Sequence, residues 1–387
     1  MKKYLIVISG ATATGKTALA IKMAQALQCP ILSCDSRQFY QEMNIGTAKA
    51  SIAELKMAKH YFINSLSIQD NYSVGDFEKD GIELLKKIHS RQPYAILAGG
   101  SGLFIQALCE GLDQFPAISA PIKQELIELF DNEGIEPLQA ELQQKDPAYA
   151  QQVDLQNPQR LIRALAIIRT HNKPFSSFLS GQKAGRPFQV IYINLHVERT
   201  QLYARINQRV TQMMDAGLLE EVAGLRPFQK LNSLQTVGYR ELFDYFDQKY
   251  DLETAVALIQ RNTRRYAKRQ MTWFRRAHHW KHFSPEEATE VLDYIQWTIN
   301  KNIQLHQYHE EFQPALQIFY QNNLPKEDPI EQASHQIILA IQAGKVIAFA
   351  YRKKNIKIAT PPQLSFAPPF AADATLKKFL LHEMNFS

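Results

Sequence analysis

Over the first hundred positions, apolar residues fall into short continuous runs separated by stretches with helical spacing. YLIVIS (4–9), PILSCD (30–35) and PYAILAGG (93–100) are runs of the first kind. TALAIKMAQAL (17–27) and VGDFEKDGIELLKKIHS (74–90) place their apolar residues on one helical face. Uniformly apolar strands alternating with amphipathic helices predict a parallel sheet covered on both faces. From Phe115 to Pro187 the pattern changes. PIKQELIELF, EPLQAELQQK and PQRLIRALAIIRTH all carry helical periodicity, and no strand run interrupts them. The last begins with Asn157 as its cap and Pro158 at the first helical position, and it ends near Asn172. FQVIYINL (188–195) restores a strand, and helices follow at about 198–225, 238–248 and 252–276.

The fold expected from this pattern is α/β. A parallel sheet covered by helices occupies 1–114 and 188–300, with an all-helical subdomain inserted at 115–187. Residues 301–387 read as a separate C-terminal extension. In it, Pro-containing linkers flank a helix at about 329–343 and a hairpin in KVIAFAYRKKNIKIAT. Nothing in the sequence assigns this extension a role.

Composition narrows the class. At 387 residues and 45% hydrophobic content the chain can bury a core without metals or disulfides. Its three cysteines, Cys29, Cys34 and Cys109, form no CxxC pair. Disulfide and zinc modules are therefore not expected, and a reducing, cytoplasmic setting is. The two lysines before YLIVIS look like the start of a signal peptide, but the six-residue run enters a glycine-rich loop and fits a strand. No stretch approaches the roughly 18 apolar residues of a membrane span. The net charge of +6 is modest, but Arg261 to Lys281 holds eight Lys or Arg and no acidic residue, the footprint of a polyanion partner.

The strongest chemical signal is Gly10-Ala11-Thr12-Ala13-Thr14-Gly15-Lys16-Thr17, which fits G-x-x-x-x-G-K-[ST] between a strand and a helix. The glycines allow a tight turn whose N–H groups converge on phosphate oxygens at a helix N-terminus. Lys16 adds a positive charge, and the Thr17 hydroxyl suits Mg²⁺. ATP or GTP is the usual occupant of such a loop. A nucleotide hydrolase would carry a further strand ending in Asp, whereas the strand here ends Leu97-Ala98-Gly99-Gly100. Asp35, closing the second strand, is the carboxylate a parallel sheet would place beside the loop. A helix cap is the other reading of it.

DSRQFYQEMNIGTAK (35–49), the phosphate loop and Gly99-Gly100-Ser101-Gly102-Leu103-Phe104 together closely resemble the tRNA dimethylallyltransferases. YSVGDFEKDG, NPQRLIRA (157–164), ARINQRVTQMMDAGLLEEV (204–222), TVGYRE (236–241) and RRYAKRQMTWFRR (264–276) extend the resemblance over about residues 1–300. It implies transfer of a dimethylallyl group from dimethylallyl diphosphate to the N6 amine of the adenosine 3′ of the anticodon. The tRNAs would be those reading codons that begin with U. It further implies a monomer with Mg²⁺ as cofactor and tRNA as partner. Asp35 would be the general base, with Ser101 and Arg209 also catalytic; Ser101 stands where many members have threonine. Contacts to tRNA would come from Asp35, Ser36, Arg37, Gln38, Ser101, Lys123, Gln159, Arg160, Leu161, Ile162 and Arg163. Gln235, Thr236, Val237, Gly238, Tyr239, Arg240, Arg264, Arg265 and Lys268 would complete the set.

Helical spacing puts Arg261, Arg264 or Arg265, Lys268 and Arg275 on one stripe, expected to face phosphate. Tyr266, Gln270, Trp273 and Ala277 lie on another, beside Met271 and Phe274, and are expected in the core. Arg160, Arg163 and Arg169 charge the inserted helix along its length; a solubilising surface is the other reading of them. His278, His279 and His282 have no carboxylate or cysteine accompanying them in the sequence, so a surface or interface role is expected rather than a metal. Two other functions compete: a P-loop kinase with the inserted block as its lid, and a tRNA-binding protein that has lost activity.

Overall fold

The computed structural model describes residues 2–113, 115–179, 185–276, 279–301, 303–307, 309, 312–323, 335–342, 345–353, 363–367, 370 and 373–386. Two compact units result: Met1–Cys109 with Pro187–Ser387, and Glu110–Arg186.

The larger unit opens with β1 (Tyr4–Gly10), α1 (Lys16–Leu27), β2 (Ile31–Ser33), α2 (Ile52–Met57), β3 (His60–Tyr61), α3 (Val74–His89), β4 (Tyr94–Ala98) and α4 (Gly102–Glu110). The smaller unit supplies α5 (Ala120–Glu133), α6 (Glu136–Lys145), α7 (Pro147–Ala150) and α8 (Pro158–His171). The chain then returns through β5 (Gln189–Leu195), α9 (Arg199–Asp215), α10 (Leu218–Leu225), α11 (Tyr239–Phe246), α12 (Leu252–Arg275), β6 (Lys281–Phe283) and α13 (Ala288–Lys301). It ends in β7 (Ile303–Gln307), α14 (Gln313–Asn323), β8 (His335–Gln342), β9 (Lys345–Lys353), β10 (Gln363–Phe366) and α15 (Ala374–Phe386).

The main sheet is parallel, in the order β3-β2-β4-β1-β5-β6. β1 lies inside it, and all seven of its residues are buried. Tyr4, Ile6 and Ile8 pack on one face with Leu19 and Met23 of α1. Leu5 and Val7 pack on the other with Phe39, Phe77 and Leu85. Covering both faces is what makes the strand apolar at every position, and each buried Ile or Leu contributes roughly 1.5–3 kcal/mol. The expected helix at 198–225 is two, α9 and α10, separated at Gly217 with φ +96°.

In the smaller unit α8 is the central helix, with Leu161, Leu165 and Ile168 packed among residues of α5 and α6. Asn157 caps it by accepting the Arg160 amide hydrogen, with Pro158 in the first turn and Asn172 at φ +51° ending it.

The C-terminal region departs from expectation twice. The described part of the expected helix at 329–343 is the strand β8, paired antiparallel with β9 and β7. Its Ile337 and Leu339 pack with Leu316 and Phe319 of α14, while Ile338 and Ala340 pack with Phe379 and Leu380 of α15. A strand covered on both sides is apolar throughout, and periodicity cannot tell that from a buried helix. Nor do the described residues of the expected extension at 301–387 stand apart from the main core. The cluster that holds Ile338, Ile347 and Phe379 also holds Leu19 of α1 and Val291 of α13. Residues 354–360 of the expected hairpin lie outside the described residues.

Candidate active site

The site begins where β1 ends. A Cβ on Gly10, at φ +145°, would sit 2.6 Å from the Leu195 carbonyl oxygen, so only glycine permits the turn. Ala13 (φ +64°) and Gly15 (φ +84°) are left-handed, and α1 starts at Lys16 with no acidic residue in its first turn. The loop is internally tied: the Thr14 hydroxyl and Lys16 Nζ both donate to the Ala11 carbonyl, at 2.8 and 2.6 Å.

Two cations converge here without a carboxylate partner. Among the described residues neither Lys16 nor Arg209 forms an ion pair. Arg209, from α9, donates to the Thr12 hydroxyl at 3.3 Å and the Ala48 carbonyl at 3.4 Å. Burial, followed by the charge of Arg209, lowers the Lys16 pKa to about 8, against the opposing pull of Asp35. Burial also lowers that of Arg209, again with Asp35 opposing. Desolvated cations with so little compensation form a site built for an anion.

Asp35 leaves the end of β2, where the Cys34 amide donates to the Ala98 carbonyl at 2.9 Å. A Cβ on Gly99 would lie 2.5 Å from Cys34 Sγ, so glycine allows the two loops to close against each other. The Asp35 carboxylate accepts the Arg37 amide hydrogen at 3.0 Å. Arg37 in turn donates to the carbonyls of Asn232 and Ser233. Gln38 donates to those of Thr47 and Ala48. Glu221 of α10 accepts the amide hydrogens of Asn44, Ile45 and Gly46 and the Tyr239 hydroxyl, at 2.7–3.1 Å. These bonds fold the 35–49 segment into a fixed wall.

Two cavities meet along that wall. One, of about 530 Å³, is lined by Lys16, Thr17, Gln38, Lys49 and Gly100. The other, of about 350 Å³, is lined by Ser36, Arg37, Met213, Gln235, Thr236, Val237, Gly238, Arg240 and Arg269. Thr12, Asp35, Thr47, Ala48, Arg209 and Tyr266 line both. Asp35 and Arg209 thus stand on the partition between a cationic phosphate-loop chamber and a second chamber. The Tyr266 phenol pKa is raised by burial and by Asp35, with a hydrogen bond from Ser101 opposing.

Thr17 lines the first chamber, and its hydroxyl has no protein hydrogen-bond partner among the described residues. It suits a hard cation that takes most of its oxygen ligands from a bound phosphate or water. No group of three or more His, Cys, Asp or Glu among the described residues could cage a metal.

Several expected contact residues fall elsewhere. Leu161 and Ile162 are core residues of the helical unit, with 0% and 8% of their surface exposed, and cannot present side chains to a ligand. Tyr239 is fully buried against Gly46 and bound to Glu221. Arg264 is engaged by Asn207 at 2.6 Å and lies over the Tyr203 ring, whereas Arg265 and Lys268 are exposed. Lys123, Gln159, Arg160 and Arg163 are exposed in the helical unit, with Arg163 over the Phe115 ring. Arg169 is held by Glu141 and Glu125. His278 and Ala277 lie outside the described residues. His279 meets the Tyr192 ring at a tilt of 47°, and His282 pairs with Glu383 at 2.8 Å.

Two features were not legible in the sequence. Gln270, expected in the core, accepts the Thr12 amide hydrogen and donates to the Gly100 carbonyl, both at 2.9 Å. Trp273, also expected in the core, is 37% exposed. Both belong to RRYAKRQMTWFRR, whose helical spacing put them on one stripe but not against a particular neighbour.

The sequence model of a family described as IPP transferase matches residues 38–277. A tRNA dimethylallyltransferase of Christiangramia forsetii is 50% identical over 301 residues, covering 78% of this chain and 100% of that protein. One from Flavobacterium johnsoniae is 46% identical over 308 residues, again 78% of this chain and 100% of the relative. Among solved structures, the tRNA isopentenylpyrophosphate transferase of Bacillus halodurans aligns with TM-score 0.59 at 33% identity, over 77% of this chain and 97% of that one. A eukaryotic dimethylallyltransferase acting on tRNA aligns with TM-score 0.63 at 22% identity, over 86% and 82%, and shares the fold.

Proposed function

This chain belongs to the IPP transferase family of tRNA dimethylallyltransferases, and from that premise we propose how its two chambers divide the reaction. The phosphate-loop chamber takes dimethylallyl diphosphate. The second chamber takes the flipped adenosine 3′-adjacent to the anticodon, in tRNAs reading codons that begin with U. The observation that carries this reading is the position of Asp35, the carboxylate on the wall common to both chambers.

The N6 amine attacks C1 of the dimethylallyl group as the C1–O bond to diphosphate breaks. The products are N6-isopentenyladenosine and diphosphate, and the amine proton passes to Asp35. Adenine's exocyclic amine is a weak nucleophile, so a carboxylate held in place to accept that proton lowers the barrier. Charge developing on the leaving diphosphate meets Lys16, Arg209 and the N–H groups at the start of α1, already desolvated and fixed before reaction. Thr17 would hold Mg²⁺, which would neutralise part of the same charge. Arg37 and Gln38 hold the Asp35 segment by side-chain bonds to backbone carbonyls, and Ser101 favours the ionised form of the Tyr266 phenol, which lines both chambers. Unpaired anticodon-loop bases are the targets that such a chamber can admit at the lowest unstacking cost.

A kinase using the same loop is the competing activity. Incubation with Mg²⁺, labelled dimethylallyl diphosphate and an anticodon stem-loop separates the two. Label appears in the RNA if the reading holds. It stays off the RNA, while the γ-phosphate of ATP moves to a small acceptor, if it does not.

A further inference from the structure

The exposed face of α12 carries an aromatic and cationic track that leads out of the second chamber. Tyr266, Arg269, Trp273 and Arg276 follow at intervals of three, four and three residues, which places them along one side of the helix. Tyr266 lines both chambers and Arg269 the second. One turn further on, the Trp273 indole packs against Gly102: a Cβ there would lie 2.1 Å from its Nε1. Gly102 is two residues past Gly100, which lines the first chamber, so the indole lies close to that chamber's wall. Leu103, 44% exposed, extends the apolar surface.

An exposed tryptophan at this place calls for an explanation. Trp280 and Trp297, the other two in the chain, are 4% and 7% exposed, as expected for a residue that gains most from burial. Trp273 has no aromatic or cation–π partner among the described residues. On the same side of the helix Arg269 and Arg276 are both exposed, so an anionic chain would be drawn to the same surface. An exposed ring flanked by cations, on the helix side whose Tyr266 and Arg269 line a base-sized chamber, is the arrangement that takes an unpaired nucleobase: π-face against π-face, with phosphates toward the cations.

We propose that Trp273 is a stacking platform for an unpaired anticodon-loop base neighbouring the target adenosine, with Arg269 and Arg276 meeting the flanking phosphates. This rests on the reading of the second chamber as the RNA side of the site. The platform recognises single-stranded RNA through a π-face, so it tolerates any base and rejects a fully paired duplex.

The test reads binding apart from transfer. An anticodon stem-loop is titrated without donor while tryptophan fluorescence is followed. Saturable quenching is expected in the wild type and not with a blunt duplex of equal length. Trp273→Leu, which keeps apolar bulk without a π-face, should weaken stem-loop binding by about tenfold or more. Trp273→Phe should restore most of the affinity while abolishing the quenching. The KM for dimethylallyl diphosphate should stay within about twofold of wild type in both. The platform is overturned by unchanged stem-loop affinity in Trp273→Leu, by quenching that survives in Trp273→Phe, or by donor and RNA affinities that fall together. Should the wild type bind and quench without transferring the prenyl group, the proposed reaction fails and the platform stands.

Discussion

Gln270 accepts the Thr12 amide hydrogen at 2.9 Å, fastening the phosphate loop to a helix 258 residues further along the chain. The same side-chain amide donates to the Gly100 carbonyl, so one residue sets the spacing between the loop after β1 and the loop after β4. A loop whose N–H groups must stabilise charge in the transition state depends on being fixed beforehand. Gln270→Ala should therefore lower kcat/KM for dimethylallyl diphosphate about tenfold or more, with a fall in melting temperature of only a few degrees. Gln270→Glu keeps the acceptor for Thr12 but sets a carboxylate against the Gly100 carbonyl, and should recover little. Steady-state kinetics with thermal melts check this; a full recovery in Gln270→Glu would show that the Gly100 contact contributes nothing.

Lys16 supplies a pH dependence of known sign. Burial and Arg209 hold its pKa at about 8 in the free protein, and bound diphosphate favours the protonated form. Donor affinity is then full below pH 8 and weakens by up to about tenfold per unit above it. Calorimetric titration with dimethylallyl diphosphate between pH 6.5 and 9.5 should show the break, and Lys16→Met should bind weakly at every pH without one.

Asp35 raises the Lys16 pKa, so the two are coupled through the partition. Asp35→Asn should reduce the chemical step by about a hundredfold or more, because a base acts in the transition state. It should also move the break in donor affinity below pH 8. Single-turnover transfer and the same titration measure the two effects. Equal losses in donor binding and chemistry would remove Asp35 from the role of base.

On α12, Arg265 and Lys268 are exposed while Arg264 is bound to Asn207. Replacing Arg265 and Lys268 together should weaken tRNA binding and flatten the slope of log affinity against log salt by about two. Arg264→Ala should leave that slope nearly unchanged and lower the melting temperature instead. Filter binding from 50 to 300 mM salt distinguishes them.

A buried ion pair joins α15 to β6. Lys281 Nζ lies 2.9 Å from Glu383, with both side chains 0–2% exposed, and His282 adds a second bond to the same carboxylate. Burial alone would raise the Glu383 pKa, but the Lys281 charge and these hydrogen bonds hold it at about 2. A depressed carboxylate contributes stability that is present above its unfolded pKa, near 4.3, and lost as pH falls toward 2. Glu383→Gln leaves Lys281 uncompensated and should cost about 3–5 kcal/mol at pH 7, with the difference from wild type closing as pH falls toward 2. Denaturant unfolding at pH 7 and at pH 3 provides the measurement.

The strands β1, β2, β4 and β5, the helices α1, α3 and α8, and the phosphate loop were readable within a few residues of their ends. Each is a local pattern: a run buried on both faces, an amphipathic stripe with its caps, a glycine turn. Errors arose where the pattern had two physical solutions. HQIILAIQ is apolar because α14 and α15 cover opposite sides of a strand, and a buried helix would look the same. Leu161 and Ile162 stand between Arg160 and Arg163 in one motif. Burial divides the four because successive positions on a helix point about 100° apart.

By itself the sequence determined the phosphate loop, the carboxylate closing the second strand, the basic helix and the family that these motifs mark. Those depend on residue type and short-range order. Tertiary structure alone decided that Asp35 and Arg209 share the wall of two chambers, that Gln270 clamps the loop and Trp273 stays exposed, and that the C-terminal strands complete the main core. These are contacts between segments far apart in sequence. Periodicity reports that a face is buried or exposed, but the partner it meets is chosen by packing of the whole chain.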